Sequence, residues 1–173
     1  MSIHSEHPFM PAEADRSPIR RLRGRFGAGV SVWATGAGRD RAGLTVSSMM
    51  VADGEPGRVL GLLDPDSDLW ESLATSRCFV VSLLGWDDRG LAEAFAGVAP
   101  APGGVFKLGS WSSTEWGPVL DTALAWAGCR LVEGEMRTVG WSVLAEAVVE
   151  QVTVADEDQA QPLVHRRGRY HHL

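Results

Sequence analysis

The segment Gly43-Leu44-Thr45-Val46-Ser47-Ser48-Met49 decides the fold, because a β-strand here bends into a loop that carries hydroxyl groups. Gly43 has no side chain and lets another group approach the backbone closely. Hydroxyls and free backbone N–H groups at a strand end are able to bind a phosphate or the polar edge of a flat heterocycle without a positive charge. Threonine and serine are equally common as plain strand and turn formers, so the segment alone leaves both interpretations open.

The chain on both sides of this segment shows further strand patterns. Residues 26–35 alternate apolar and polar side chains, which predicts a strand that turns at residues 36–40 and returns through residues 43–50. The apolar runs at residues 59–63 and 78–84 contain β-branched side chains and predict strands that are covered on both faces. Further strands are predicted at residues 119–132, 143–154 and 162–170.

Short helices are predicted between these strands. The first lies at residues 19–23 and the third at residues 87–97. The second begins at Asp68, because Asp68 to Glu71 has the form of a capping box. Their apolar faces are formed by Leu69, Trp70 and Leu73 in the second helix and by Leu91, Phe95 and Val98 in the third. Residues 100–118 hold three prolines and four glycines and are predicted to form a long irregular loop.

The order of these elements predicts a mainly β protein. Strands outnumber helices and mostly follow one another, which favours an antiparallel, Greek-key-like barrel with a few peripheral helices. The chain has 173 residues and is 45% apolar, enough for one core without disulfides. We expect a single domain at residues 18–173, preceded by a flexible arm at residues 1–17. The Gly-x-Gly-x-x-Gly and Gly-Lys-Ser/Thr motifs of nucleotide-binding α/β folds are absent from the sequence.

Charge and composition exclude several classes of protein. The net charge of −6 argues against nucleic-acid binding, and the sequence has no apolar run of the roughly 18 residues that a membrane helix needs. We therefore expect a soluble, cytoplasmic protein. Cys78 and Cys129 lie in apolar runs without the spacing of a zinc site, which predicts buried thiols and no metal centre. An acidic chain must hold a phosphorylated ligand through local donors.

Several segments in the same order resemble one known family. They are residues 26–32, residues 43–49, Ser67, residues 79–84, residues 91–96 and residues 162–170. On these segments the chain resembles the flavin reductase-like, FMN-binding split-barrel family. The resemblance covers nearly the whole domain and implies a split β-barrel that forms a homodimer, with FMN near the subunit boundary.

The resemblance also implies which residues meet the cofactor. Those expected at the isoalloxazine and ribityl groups are Thr45, Val46, Ser47 and Ser48, with Ser67 near the phosphate, Ser82, Leu83 and Leu84 along the ring, and Leu91 and Phe95 closing the pocket. Core packing of the helix explains the last two equally well. The implied reaction is hydride transfer from NADH or NADPH to N5 of FMN or FAD. It requires no acid–base pair, so no catalytic side chain is assigned.

One departure from the family lies at Val139-Gly140-Trp141, where relatives commonly carry Gly-Asp-His. Indole stacks on flat rings but does not titrate as imidazole does. Three interpretations remain open: Trp141 covers the flavin, binds a different aromatic substrate, or simply fills the site.

A second departure is the pair of carboxylates beside Ser67. Asp66 and Asp68 flank the serine, and a carboxylate near a phosphate is unfavourable unless an arginine intervenes. We favour Asp68 as a helix cap, with the phosphate held by arginines that the sequence does not identify. In the tail, Arg167 or Arg169 together with Tyr170 is expected near the pocket mouth to meet a cofactor phosphate or a nicotinamide nucleotide, unless the tail is only a solvated basic segment.

Two functions from different classes follow. The first is an FMN-binding oxidoreductase, a flavin reductase that uses NAD(P)H and supplies reduced flavin to a partner monooxygenase. The second is a flavin- or haem-binding carrier or sensor of the same fold without turnover, with a deazaflavin-dependent enzyme as a related alternative. Trp141 favours the carrier, whereas the remaining matched segments favour the reductase.

Overall fold

Antiparallel strands make up most of the computed structural model, which describes residues 17–134, 137–155 and 161–173. The strands are β1 (Ala28–Gly29), β2 (Ser31–Thr35), β3 (Ala42–Val46), β4 (Met49–Ala52), β5 (Arg58–Leu63), β6 (Cys78–Leu83), β7 (Trp111–Ser113), β8 (Pro118–Leu120), β9 (Ala125–Leu131), β10 (Arg137–Val139), β11 (Ser142–Val154), β12 (Leu163–Arg166) and β13 (Arg169–His172). The helices are α1 (Pro18–Arg23), α2 (Asp68–Ser76) and α3 (Arg89–Phe95), with 3-10 turns at Trp86–Asp88 and Val105–Lys107. The flexible arm predicted at residues 1–17 lies outside the described residues except for Ser17.

The main sheet curls into a split barrel. Its strand order is β3-β2-β6-β9-β11-β5-β4, with β10 added beside β11, and every pairing is antiparallel. The two edge strands, β3 and β4, are consecutive in the chain and are joined only by Ser47 and Ser48. The edges of the sheet therefore meet at this linker, where the Leu62 N–H donates to the Ser48 carbonyl at 3.0 Å. The predicted mainly β, antiparallel barrel is confirmed, and a smaller sheet, β1-β12-β13, covers part of it.

Two apolar clusters lie on opposite faces of β2, because successive side chains of a strand point to opposite sides. Trp33 belongs to the first cluster and stacks on Phe79 with ring centroids 4.6 Å apart, while Leu73 of α2 packs nearby. Val32 and Ala34 belong to the second cluster, which packs against α3. All five residues of β2 are buried, so this strand is the structural centre of the domain.

Several predicted boundaries differ from the structure. β6 is largely buried on both faces as predicted, but β5 is not, since Leu62 is 37% exposed while Leu63 is buried. The predicted long strand at residues 119–132 is split into β8 and β9 because a turn intervenes at residues 121–124. The loop predicted at residues 100–118 contains a 3-10 turn and the β7–β8 hairpin, and the tail forms the two strands β12 and β13.

The end of the third predicted helix was also wrong. α3 stops at Phe95, and Val98 lies beyond it with 47% of its surface exposed, so it does not extend the apolar stripe. In the part of the chain that the structure describes, no helix has the length and apolar character needed to cross a membrane. Nor do the described His, Cys, Asp and Glu side chains gather into a group that could hold a metal ion.

Candidate functional site

Two adjoining cavities lie along β3. The larger has a volume of about 390 Å³ and the smaller about 160 Å³, and Ala96 lines both. The larger is lined by Arg41, Ala42, Gly43, Leu44, Asp64, Asp66, Ser67, Asp68, Ala94, Phe95, Ala96, Gly97, Val105 and Phe106. The smaller is lined by Val30, Thr45, Ser47, Ala96, His165 and Tyr170. The predicted hydroxyl segment thus forms the common wall of both cavities.

The close approach predicted at Gly43 is present. A Cβ atom at this position would lie 2.6 Å from Cε1 of Phe95, so α3 packs directly against the bare backbone of β3. Thr45 reinforces this contact, since its hydroxyl donates to the Ala92 carbonyl at 2.7 Å. The Thr45 hydroxyl therefore joins β3 to α3, although the residue lines the smaller cavity.

The other predicted hydroxyls differ in their availability. Ser47 lines the smaller cavity, and its hydroxyl makes no hydrogen bond to another residue in the described ranges. Ser48 lines neither cavity, and its carbonyl accepts the hydrogen bond from the Leu62 N–H where the two edges of the sheet meet. Ser82 is 1% exposed, and its hydroxyl accepts from the Leu120 N–H at 3.3 Å. Ser47 is thus the predicted serine best placed to donate to a ligand.

Ser67 lines the larger cavity, but its hydroxyl is already engaged. Its Oγ donates to the Asp64 carbonyl at 2.7 Å and accepts from the Trp70 N–H at 3.3 Å. Ser67 is therefore the N-cap of α2, and the capping role predicted for Asp68 was wrong by one residue. Asp68 instead occupies the first turn of α2, where a carboxylate interacts favourably with the helix dipole.

The predicted apolar lining residues divide between the core and the cavity. Val46 and Leu84 are buried in separate core clusters, and Leu91 packs beside Leu84. Leu83 is half-buried at the end of β6 and lines neither cavity. Phe95 is the predicted apolar residue that reaches the larger cavity while also packing in the core.

Trp141 is not brought to either cavity. It lies in the turn between β10 and β11 with 88% of its surface exposed. Gly140 has φ +62° there, a left-handed conformation that suits glycine in a tight hairpin. The chain by itself therefore places the indole in solvent.

The C-terminal hairpin supplies two rings to the smaller cavity. His165 on β12 and Tyr170 on β13 are cross-strand partners, with ring centroids 5.5 Å apart at 63°. Burial raises the pKa of Tyr170 to about 12, and the negative charge of Glu93 adds to this shift. Arg167, at the tip of the same hairpin, is exposed and lines neither cavity. Of the tail residues predicted near the pocket mouth, Tyr170 lines the smaller cavity, beside a histidine to which the sequence alone gave no role.

The sequence also gave no role to Arg41 and Phe106 in the larger cavity. The Arg41 Nε–H donates to the Gly38 carbonyl at 3.0 Å, and the guanidinium carbon lies 4.7 Å from the centre of the Phe106 ring. The sequence does place the positive charge of Arg41 just before the segment Gly43–Met49, and this position could have indicated a role for it. The sequence contains no signal for Phe106, because the ring approaches Gly43 of β3 across more than sixty residues of chain.

The charges of the two cavities differ. Asp64, Asp66 and Asp68 line the larger cavity together with Arg41, whereas the described residues that line the smaller cavity include no carboxylate. The larger volume lies in the range of about 300–1,000 Å³ that small-ligand pockets occupy. Together the two cavities offer an aromatic wall, one arginine and the Ser47 hydroxyl, which are able to contact a flat ring, a phosphate and a polar ring edge. The residues present therefore fit a flavin nucleotide.

The chain also matches a known protein family and two characterised relatives. The model of the flavin reductase like domain matches residues 23–173. The reductase component of 4-nitrophenol 4-monooxygenase/4-nitrocatechol 2-monooxygenase from Rhodococcus opacus is 28% identical over 160 residues, which are 92% of this chain and 82% of the relative. The reductase component of the FADH(2)-dependent resorcinol hydroxylase from Rhizobium sp. (strain MTP-10005) is 30% identical over 156 residues, 88% of this chain and 84% of the relative.

A solved structure shows the same fold. It is the NADH:FAD oxidoreductase SgcE6 of Streptomyces globisporus C-1027, which is 24% identical, with a TM-score of 0.78. The match covers 94% of this chain and 95% of that one. That protein has also been solved in complex with NAD and FAD fragments. The chain described here belongs to the flavin reductase like domain family and is an oxidoreductase of the flavin reductase type.

Proposed function

We propose that this protein transfers a hydride from NADH or NADPH to a flavin bound along β3, and that the reduced flavin serves a separate monooxygenase. The observation that carries the proposal is the pair of adjoining cavities on β3, one with an available hydroxyl and two rings, the other with a cation. Both curated relatives are reductase components of oxygenating systems, which supports the monooxygenase partner.

The two cavities suit different parts of a flavin nucleotide. We assign the ring system to the smaller cavity, where Ser47 would donate to its polar edge and His165 and Tyr170 would face it. Thr45 would hold β3, which forms the cavity wall, through its hydrogen bond to α3. Val46 and Ser48 would contribute only backbone groups; the Val46 side chain lies in the core. Ser82, Leu83, Leu84 and Leu91 would support this wall from behind.

A bound flavin supplies the electron-accepting chemistry itself. The task of this chain is then to bind the flavin, to orient it and to exclude water from its face. No acid–base pair is part of the proposal, in line with the expectation from sequence. The phosphate-bearing end of the flavin is assigned to the larger cavity, which holds the aromatic wall of Phe95 and Phe106.

The flavin and the electron donor are finer parts of the proposal. FMN is the flavin that the sequence resemblance implies, whereas the names of two relatives specify FAD. NADH is favoured over NADPH by the name of the solved relative. We also place the protein in the cytoplasm, where reduced nicotinamide nucleotides are available.

A homodimer is the proposed assembly. Met50 and Val51 on the edge strand β4 are 68% and 70% exposed, and Val152 and Val154 on β11 are also exposed. Apolar side chains on an edge strand favour association, and a second copy of the chain would cover them. Light scattering after gel filtration measures the mass directly. A monomer at micromolar concentration would contradict this part of the proposal.

The test of function is the visible spectrum of the purified protein after addition of FMN or FAD, followed by anaerobic addition of NADH or NADPH. Prompt bleaching of the flavin band supports the reductase. A flavin complex that is indifferent to both nucleotides would instead favour the carrier. Failure to bind either flavin would contradict the reductase and the flavin carrier, and a haem spectrum would identify the haem-binding alternative.

A pair of serine variants tests the placement of the flavin. Ser47→Trp fills the smaller cavity and is expected to abolish flavin binding. Ser113→Trp adds the same side chain at an exposed position on β7 and is expected to bind flavin normally. Stoichiometric flavin in folded Ser47→Trp would refute this placement.

A further inference from the structure

We propose that Arg41 is the anchor for the phosphate of the flavin, a role that rests on the proposed function. The sequence alone does not identify the arginine that offsets the carboxylates around Ser67. The tail candidate Arg167 lines neither cavity, whereas Arg41 is the only arginine or lysine among the described residues that line the larger one.

The guanidinium of Arg41 is held in a fixed position. Its Nε–H donates to the Gly38 carbonyl in the β2–β3 turn, and its guanidinium carbon lies over the ring of Phe106, 4.7 Å from the ring centre. Phe106 in turn packs edge-on against Phe95 at 5.0 Å and against Trp111 at 5.1 Å. A cation restrained on a rigid aromatic cluster loses little conformational freedom when it binds an anion.

The remaining donors of Arg41 are available. A guanidinium has five N–H bonds, and only the one on Nε is engaged with another residue of the described ranges. The two terminal nitrogens therefore present the edge that binds phosphate through two parallel hydrogen bonds. This edge belongs to a residue that lines the larger cavity.

The carboxylates of the cavity do not neutralise Arg41. The ion pairs between described residues join Arg58 to Glu146 and Arg130 to Glu150, and Arg41 takes part in neither. Three aspartates nevertheless line the same cavity, so a phosphate there needs direct contact with a cation to offset their repulsion. Arg41 is the cation that the described lining of this cavity offers for that contact.

The hydroxyls nearest to this end of β3 do not substitute for it. The Ser67 hydroxyl both donates and accepts within the cap of α2, and the Thr45 hydroxyl donates to α3. Recruiting either as a phosphate donor would break an existing hydrogen bond. We therefore assign phosphate binding to Arg41 rather than to Ser67, the serine that the sequence resemblance implies.

The test compares flavins with and without phosphate. Dissociation constants of riboflavin, FMN and FAD are measured by fluorescence quenching for the wild type, Arg41→Gln, Arg41→Lys and the control Arg39→Gln. Arg39 is exposed in the same turn and lines neither cavity. We expect Arg41→Gln to weaken FMN by about 10- to 100-fold, the loss of one charge-assisted contact, with riboflavin unchanged. Arg41→Lys should fall between, and Arg39→Gln should match the wild type.

The outcomes distinguish failure of this inference from failure of the proposed function. Equal weakening of riboflavin and FMN in Arg41→Gln would show that Arg41 only supports the fold, and unchanged FMN affinity would overturn its role outright. Wild-type protein that binds no flavin would overturn the proposed function and this inference together. Inorganic phosphate gives a second readout that does not depend on folding of the variant: it should compete with FMN for the wild type, and failure to compete would contradict a phosphate subsite.

Discussion

The backbone of Gly43 lies directly beneath the ring of Phe95: a Cβ atom on residue 43 would be 2.6 Å from Cε1 of Phe95 and 3.2 Å from Cζ of Phe106. The same Phe106 ring carries the guanidinium of Arg41. One position on β3 thus connects the packing of α3 with the charge that the larger cavity presents. A change at residue 43 must displace both rings.

Gly43→Ala is expected to destabilise the fold by about 1–3 kcal/mol, because an added methyl overpacks the two rings. Flavin affinity should fall as well, since Phe106 moves with Arg41. Urea unfolding and flavin titration measure the two effects. Gly90→Ala is the matched control, because no heavy atom lies within 4 Å of that Cβ position in α3, and alanine should add about 0.5–1 kcal/mol of stability there. Unchanged stability of Gly43→Ala would show that the rings yield freely.

Trp141→His introduces the residue type that the sequence resemblance implies near this position. Because Trp141 is 88% exposed, we expect a stability change within about 0.5 kcal/mol. Flavin affinity should also be unchanged, since the residue lines neither cavity of its own chain. Thermal melts and flavin titration check both statements. A marked change in flavin affinity would instead indicate that the indole reaches the site of a second copy.

Local patterns in the sequence were sufficient to predict most strands. The alternation around β2 and the segment Gly43–Met49, which begins within β3, report side-chain direction directly, so the barrel and one wall of the two cavities were both predictable. The cap of α2 was misplaced by one residue, because Ser67 and Asp68 are both good N-cap residues and only the hydrogen bond to Trp70 decides between them.

Long-range contacts explain what the sequence could not show. Arg41 gains its orientation from Phe106, and His165 reaches the smaller cavity because β12 and β13 fold back beside β1. The burial of Ser82 likewise depends on Leu120, which belongs to another strand. A single sequence contains no signal for such pairings, so the positions of these residues become known only from the three-dimensional structure.

The two cysteines should differ in reactivity. Cys129 is fully buried, and burial raises its pKa to about 12, whereas Cys78 is half-buried and its pKa is raised by burial but lowered in part by Arg130. We expect a thiol reagent at mildly alkaline pH to label one thiol slowly in the native protein and both in urea. Cys78→Ser should abolish native labelling, while Cys129→Ser should leave it intact. Native labelling that survives in Cys78→Ser would contradict the burial of Cys129.

Tyr170 is the only tyrosine of the chain, so its ionisation can be followed directly by phenolate absorbance. Burial raises its pKa to about 12, against about 10 in an unfolded chain. Between these values the native state keeps a proton that the unfolded state has lost, so this contribution to stability is complete below pH 10 and disappears as pH rises toward 12. The native midpoint should therefore lie near 12 and move to about 10 in urea. Tyr170→Phe should show no absorbance step and a flatter alkaline stability profile, and a native midpoint near 10 would place the ring in solvent rather than in the smaller cavity.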